Sequence, residues 1–188
     1  MKQRNATVVT WLIAGVVLGL LGLVSAAPAS AKDGKDELAP PELPPPVKGH
    51  EGDVALIIAQ EDYYKWPKIP GAKANGKAWE QYFRESLGMT EVTLVENLYE
   101  QEIRSNVFDT AESAMDHGGG RLWFVYIGQG WLADSGDGLE IMLLGVDSPS
   151  QSAERGKEYA VLRDEMLEIL ASSGSEVVAI VDATDGSM

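Results

Sequence analysis

Cysteine is absent from this 188-residue chain, and histidine occurs only twice. Without cysteine the chain can form no disulfide, no thiolate zinc site and no cysteine nucleophile. His50 and His117 are too few and too scattered for a histidine-based metal site or proton relay. Basic residues are also scarce, with 15 lysines and arginines against 29 aspartates and glutamates. The resulting net charge of −14 argues against nucleic acid as a partner.

The N-terminus has the pattern of a secretory signal. Lys2 and Arg4 precede an apolar run without charge at residues 8–24, and an A-x-A cleavage pattern follows at residues 29–31. Residues 1–31 are therefore predicted to be a signal peptide, and the mature protein to be secreted or periplasmic. The alternative is an uncleaved membrane anchor, because the run approaches the length that spans a bilayer. Contact with a membrane is expected only through this segment.

Proline is concentrated next to the signal. Six of the nine prolines fall between positions 28 and 46, and residues 44–46 are three prolines in a row. Such a run favours an extended polyproline conformation. Residues 32–51 are therefore predicted to be a Pro-rich linker, either a plain spacer or a ligand for a proline-reading groove. Residues 52–188 are long enough to form one domain with a hydrophobic core.

Apolar runs in this domain predict buried strands. Residues 53–59, 121–127 and 177–181 fit buried strands, and residues 177–181 are also rich in β-branched residues, as expected of a central strand. Shorter extended pieces are predicted at residues 91–95 and 139–144.

Helical periodicity predicts three helices between the strands. The first follows Pro70 and would bury one stripe, Ala74, Ala78, Tyr82 and Leu87. The third is predicted at residues 159–171. The second would begin at a capping box of Asn97 and Glu100 and bury the stripe Ile103, Val107, Ala111 and Ala114.

Alternating strands and helices predict a mostly parallel sheet of order 2-1-3-4 with right-handed crossovers. In this order residues 53–59, 91–95, 121–127 and 177–181 are the first to fourth strands. The third and fourth strands are then neighbours. Gln129 lies in a predicted loop, residues 128–130, after the third strand. Thr184 lies at the end of the fourth strand, just before a predicted turn at residues 185–187. Ligands bind at the carboxyl ends of strands in such sheets. Gln129 and Thr184 are therefore expected to face each other across the rim of a cleft.

This layout suits a general base paired with a nucleophile, but the residue types do not support that chemistry. Gln129 is an amide without useful basicity, and Thr184 is a hydroxyl with no base in evidence. Flanking glycines such as Gly130 would let main-chain amides polarise a substrate carbonyl. Two interpretations stay open: a site that has lost its catalysis, and a hydrolase that uses Thr184.

Several segments resemble the caspase-like peptidases, the clan of metacaspases, orthocaspases and caspases (peptidase C14 domain). They occur in the family's order and spacing from Asp53 onward. The segments are VALIIAQEDY (54–63), IPGAKANGKA (69–78), EIRSNVFD (102–109), FVYIGQG (124–130), LLGVD (143–147) and VVAIVDATDGS (177–187).

The resemblance implies a three-layer caspase-like (flavodoxin-like) α/β sandwich. It places the catalytic histidine at Gln129 and the cysteine nucleophile at Thr184, so both dyad positions are substituted. Asp182 matches an aspartate that binds basic substrate side chains in some branches. Asn75 replaces a family aspartate, and Ile127 replaces the serine before the glycine. Family domains continue past the nucleophile strand, so the chain is expected to lack the family's last strands and to be incomplete at its C-terminus.

Because both dyad positions are substituted, the resemblance predicts an inactive, exported pseudo-peptidase that binds a peptide or protein and is not an enzyme. Asp182, Asn75 and Gly130 are its candidate substrate-binding residues. The alternative is an active endopeptidase using Thr184 or an unrecognised site. A further alternative, an unrelated doubly wound domain binding a small anion, lacks a G-x-G-x-x-G or P-loop signature.

No metal site or cofactor is predicted, with one alternative. Asp134, Asp137 and Glu140 could bind calcium, as in some metacaspases, but their spacing does not match an EF-hand and an ordinary acidic loop explains them as well. One aromatic set, Tyr63, Tyr64, Trp66 and Trp131, predicts either a peptide-binding wall or packing at the loop bases.

Overall fold

The computed structural model describes His50 and residues 52–118, 120–134, 139–149 and 160–185. Within these residues six strands form one mixed sheet with helices on both faces. In chain order the elements are β1 (Val54–Ala59), α1 (Ala72–Gln81) continued by a π-helical turn (Tyr82–Ser86), β2 (Glu91–Glu96), α2 (Glu100–Asp116), β3 (Arg121–Asp134), β4 (Leu139–Leu144), β5 (Ala160–Leu162), α3 (Arg163–Ser172) and β6 (Glu176–Asp185).

The parallel part of the sheet has the order β2-β1-β3-β6, which confirms the predicted order because the predicted fourth strand is β6. The antiparallel strands β4 and β5 extend the sheet from the far end of β3. Gly130 pairs with Leu143 of β4 and with Asp185 of β6. Because β6 holds one edge of β3 at Gly130, β4 lies on the other edge, the one that β1 uses, beyond the end of β1.

The two faces of the sheet are covered to different extents. The covered face carries Leu122, Phe124 and Tyr126 of β3, and α2 and α3 pack on it with fully buried side chains such as Ile103 and Met166. The groove face carries the alternate residues, Trp123, Val125 and Ile127, and of the described helices only α1 with its π-helical turn packs on it. Side chains alternate between faces along a strand, so each strand contributes to both cores.

The buried stripe of α1 differs from the predicted one. Ala74 and Ala78 are exposed and Tyr82 is 38% exposed, whereas Gly76 is buried and only Leu87 of the predicted set is inside. A Cβ on Gly76 would lie 2.8 Å from the Cβ of Ala59 and 3.0 Å from Cδ1 of Leu94. The helix therefore contacts the sheet through a glycine, which a periodicity of apolar side chains does not reveal.

Strands β3 and β6 are longer than predicted. The predicted loop at residues 128–130 is wrong, because β3 continues to Asp134. Strand β6 continues to Asp185, the first residue of the predicted turn at residues 185–187, and the rest of that turn lies outside the described residues. Residues 128–130 pair with β6, and β4 pairs with the chain from Gly130 onward. Glycines here serve close packing instead of a turn. A Cβ on Gly128 would lie 2.5 Å from the hydroxyl of Tyr63.

Two helix starts also differ from the sequence prediction. Helix α2 begins at Glu100 after the cap Tyr99, whose N–H donates to the Glu102 carboxylate at 2.8 Å. Asn97 is not the cap; it has a positive φ of 53°, and its Oδ1 accepts hydrogen bonds from the loop after β1. The predicted third helix begins as strand β5 and becomes helical only at Arg163.

Within α2, the predicted stripe of Ile103, Val107, Ala111 and Ala114 is confirmed as buried. Among the described residues, no helix combines the length and the apolar character that crossing a membrane requires.

Candidate functional site

The structure brings Gln129 and Thr184 together as paired residues of β3 and β6. Ile127 belongs to the core of the groove face and is paired with Asp182. Alternation along each strand then puts Gln129, Asp182 and Thr184 on that same face. The candidate site is therefore the end of the groove face where β3 and β6 run side by side.

Gln129 is held by three hydrogen bonds, one through its side chain and two through its main chain. The residue is only 2% exposed, and its side-chain Nε2 donates to the carbonyl of Pro67 at 3.1 Å. Its main-chain N–H donates to the hydroxyl of Tyr63 at 2.7 Å, and its carbonyl accepts from the hydroxyl of Tyr126 at 2.7 Å. The buried Oε1 has no hydrogen-bond partner. The amide is thus fixed in the protein interior and turned toward the main chain.

The two tyrosines form a buried hydroxyl pair beneath the site. Their oxygens lie 3.3 Å apart, and Tyr126 also accepts from the N–H of Leu144 at 3.1 Å. Burial raises the pKa of Tyr63 to about 12 and holds the pKa of Tyr126 well above its ordinary value. Both hydroxyls therefore stay protonated near neutral pH, and neither can act as a general base.

Thr184 and Asp182 have the opposite environment, because both side chains are exposed. Neither makes a hydrogen bond or ion pair with another of the residues that the structure describes. An exposed carboxylate without a partner can bind a cationic group. An exposed hydroxyl without a base is a poor nucleophile.

Gly130 and Asn75 lie on opposite sides of the sheet, because Gly130 faces Ala183 of the covered-face core whereas Asn75 belongs to α1 on the groove face. A Cβ on Gly130 would lie 2.9 Å from the Cβ of Ala183, so this glycine permits the close approach of β3 and β6. Asn75 lies on α1 and lines a groove of about 450 Å³. The other lining residues of this groove are Ala78, Trp79, Tyr82, Trp123 and Ile180.

The loop after β1 carries a charged cluster that the sequence prediction missed. Asp62 accepts from Lys73 at 2.6 Å and from Lys68 at 2.9 Å, and Nδ2 of Asn97 donates to it at 3.0 Å. The bonds from Lys73 and Lys68 hold the pKa of Asp62 far below its ordinary value. An asparagine directly after a strand was the available signal, since asparagine tolerates the left-handed backbone found here.

The aromatic set is split between core and surface. Tyr63 and Trp66 are buried, and Trp66 packs on Trp131 with ring centroids 6.1 Å apart. These three residues therefore agree with packing at the loop bases, the second of the two predicted alternatives. Tyr64 is 65% exposed and shares a hydrogen bond with Tyr99 at 3.0 Å.

The possible calcium cluster lies partly outside the described residues, because Asp137 is not among them. Within the part of the chain that is described, no group of three or more acidic or histidine side chains could hold a metal ion.

A family model of the caspase domain matches residues 53–187. The match covers most of the chain, and the chain therefore belongs to the caspase-domain family. The unrelated doubly wound domain is thereby excluded. No curated protein matches the chain. The mixed sheet of order β2-β1-β3 with β6 beside β3, enclosed by three helices, agrees with a caspase-like α/β sandwich.

Proposed function

We propose that this protein is an exported, non-catalytic caspase-like domain that binds a peptide or protein at the rim formed by β3 and β6. The observation that carries the proposal is the environment of Gln129, which stands where the family resemblance puts the catalytic histidine. Its amide is buried and donates to the carbonyl of Pro67. A neutral carboxamide cannot accept a proton near neutral pH, so the position supplies no general base.

No other described group replaces the missing base. Both histidines lie elsewhere: His50 bonds Asp53 before β1, and His117 follows α2 and bonds the carbonyl of Ser113. The nearby hydroxyls of Tyr63 and Tyr126 have raised pKa values. Thr184 therefore lacks the activation that a hydroxyl nucleophile requires.

The binding part of the proposal depends on Asp182. Its carboxylate is exposed on the same face as Thr184 and has no ion pair with a described residue. In the family resemblance this position contacts basic substrate side chains. A peptide with an exposed arginine or lysine is therefore the expected ligand, since guanidinium and ammonium groups form charge-assisted hydrogen bonds with carboxylates.

Hydrolysis and binding are tested separately. We expect no turnover of fluorogenic peptides containing arginine or lysine, with or without calcium. We expect an arginine peptide to bind about tenfold more weakly to Asp182→Asn, which corresponds to about 1.4 kcal/mol. The matched control is Glu168→Gln, which removes the same charge from an exposed position on α3 and should leave binding unchanged.

Two results would contradict the proposal. Turnover that is lost in Thr184→Ala would show an active hydrolase, which is the alternative function. Equal peptide affinity in the Asp182 and Glu168 variants would remove Asp182 from the binding site.

Installing both family residues, Gln129→His with Thr184→Cys, gives a positive control for the assay if the double variant gains turnover and neither single variant does.

Export is supported by the basic start, the apolar run and the A-x-A pattern of residues 1–31. The mass of the exported protein is expected to correspond to a chain that begins at Lys32. An uncleaved chain recovered with membranes would instead support the anchor.

A further inference from the structure

The groove face contains an aromatic groove that the proposed binding rim does not use. Its walls are Trp79 and Tyr82 on the α1 side and Trp123 and Ile180 on the sheet side. The rings of Trp79 and Tyr82 lie 6.0 Å apart in an edge-to-face arrangement. Trp79 and Trp123 both pack on Phe83, each with ring centroids 5.5 Å apart. Grooves lined by such rings are the usual receptors for polyproline segments.

The groove also offers hydrogen-bond donors. Nε1 of Trp79, the hydroxyl of Tyr82 and the side-chain amide of Asn75 have no hydrogen-bond partner among the described residues. A polyproline helix makes no internal hydrogen bonds, so its carbonyls are free to accept from such donors. The groove therefore matches a proline-rich ligand in both its apolar rings and its polar groups.

The described chain begins beside this groove. His50 Nδ1 lies 2.7 Å from Oδ2 of Asp53, and Nε1 of Trp123 donates to the same oxygen at 3.0 Å. One carboxylate oxygen thus joins the first described residue to an indole of the groove wall. His50, the first described residue, therefore lies next to Trp123.

The preceding residues have the matching composition and length. Residues 40–46 read PPELPPP, and Pro46 is four positions before His50. Four extended residues span at most about 14 Å, so Pro46 can reach the foot of the groove. Seven residues of polyproline span about 22 Å, which is several times the 6.0 Å between the ring centroids of Trp79 and Tyr82.

We propose that the Pro-rich segment at residues 40–46 docks into the groove lined by Trp79, Tyr82 and Trp123 of its own chain. Tethering favours this occupant over a separate partner, because a short linker gives an effective concentration in the millimolar range.

The absence of cysteine allows a direct proximity test in the full chain. The groove pair is Leu43→Cys with Ala78→Cys, because Ala78 is an exposed residue of the groove wall. The control pair is Leu43→Cys with Glu112→Cys, an exposed position of α2 on the covered face. Disulfide formation with a fixed concentration of oxidised glutathione is followed on non-reducing gels.

We expect the intramolecular disulfide of the groove pair to form at least about tenfold faster than that of the control pair. Replacing Pro44, Pro45 and Pro46 together by serine in the groove pair should reduce its rate to the control level. Circular dichroism confirms that each variant is folded.

Three results would overturn the proposal. Equal rates in the two pairs would mean that the segment does not dock. An unchanged rate in the triple serine variant would mean that proximity does not depend on proline. Concentration-dependent disulfides between chains would mean that a second copy fills the groove.

Discussion

The two faces of one sheet differ in how completely they are covered. On the covered face, α2 and α3 bury alternate residues of every central strand, and Phe124 is fully inaccessible. On the groove face, α1 with its π-helical turn covers β1 and part of β3, and Trp123 and Ile180 remain half-buried. The same strands therefore supply a core on one side, and a groove and a binding rim on the other.

Because side chains alternate between the two faces, neighbouring residues of one strand have different roles: one packs in the core of the covered face and the next lines the groove or the binding rim. In β6, for example, Val181 packs against the core of the covered face, whereas the next residue, Asp182, is exposed at the rim. Substitutions on the covered face should therefore change the free energy of unfolding most, whereas those on the groove face should mainly change binding.

The largest expected effect comes from truncating the same residue type on each face. Ile58→Ala removes a side chain that is fully buried on the covered face, and we expect it to cost about 3–4 kcal/mol of unfolding free energy. Ile180→Ala, at a half-buried position of the groove, should cost about 1 kcal/mol. Denaturant titrations measure both values. Equal losses would show that the groove is covered as fully as the opposite face.

A smaller effect is expected from the hydroxyl pair beneath the site. Tyr126→Phe removes the hydroxyl that donates to the buried carbonyl of Gln129 and accepts from the N–H of Leu144, which should cost about 2–3 kcal/mol. The control is Tyr64→Phe, whose hydroxyl bonds Tyr99 at the surface and whose loss should stay within about 0.5 kcal/mol. If both variants unfold alike, the buried network contributes nothing to stability.

The smallest expected effect concerns the carboxylate at the foot of the groove. Burial raises the pKa of Asp53, but hydrogen bonds from His50, Trp123 and the N–H of Arg121 outweigh it and leave the pKa below its ordinary value. A lowered folded-state pKa stabilises the protein above the unfolded pKa, near 4, and this stabilisation is lost as the pH falls below that value.

Asp53→Asn should therefore cost about 1–2 kcal/mol at pH 7, and the difference from the unsubstituted chain should shrink between about pH 5 and pH 3. Unfolding measured across this range checks the slope. Asp109→Asn, at an exposed position of α2, is the control with the same change of charge. A difference that stays constant with pH would exclude the ionised carboxylate as the cause.

The sequence predicted the sheet well where burial is continuous. Val54–Ala59 is apolar at every position and is buried on both faces, so its strand could be read without tertiary information. The predicted pairing of Gln129 with Thr184 followed from the order of such strands.

The prediction failed where pairing or close packing decides the structure. Gly128 and Gly130 look like turn residues, yet neighbouring strands hold them extended. Gly76 looks like a weak point in a helix, yet it sets the face that α1 presents to the sheet. These contacts join residues far apart in the chain, and local pattern carries no information about them.

One residue of the hydroxyl network beneath the site could be recognised from the sequence. Tyr126 interrupts an otherwise apolar buried strand with a hydroxyl, and a buried tyrosine usually finds a hydrogen-bond partner. Its partners Tyr63 and Leu144 could not be named from the sequence, because they depend on the folded positions of a loop and of β4.

Strand β3 is the branch point of the sheet, since it pairs with β1, β4 and β6. Detaching it would separate the described sheet into three pieces: β1 with β2, β4 with β5, and β6 alone. The domain therefore cannot lose this strand and keep the rest of its sheet intact. Opening at β3 is equivalent to global unfolding, whereas the outer strands β2 and β5 can fray independently. Because Gln129 belongs to β3, the binding rim shares the cooperativity of the whole domain.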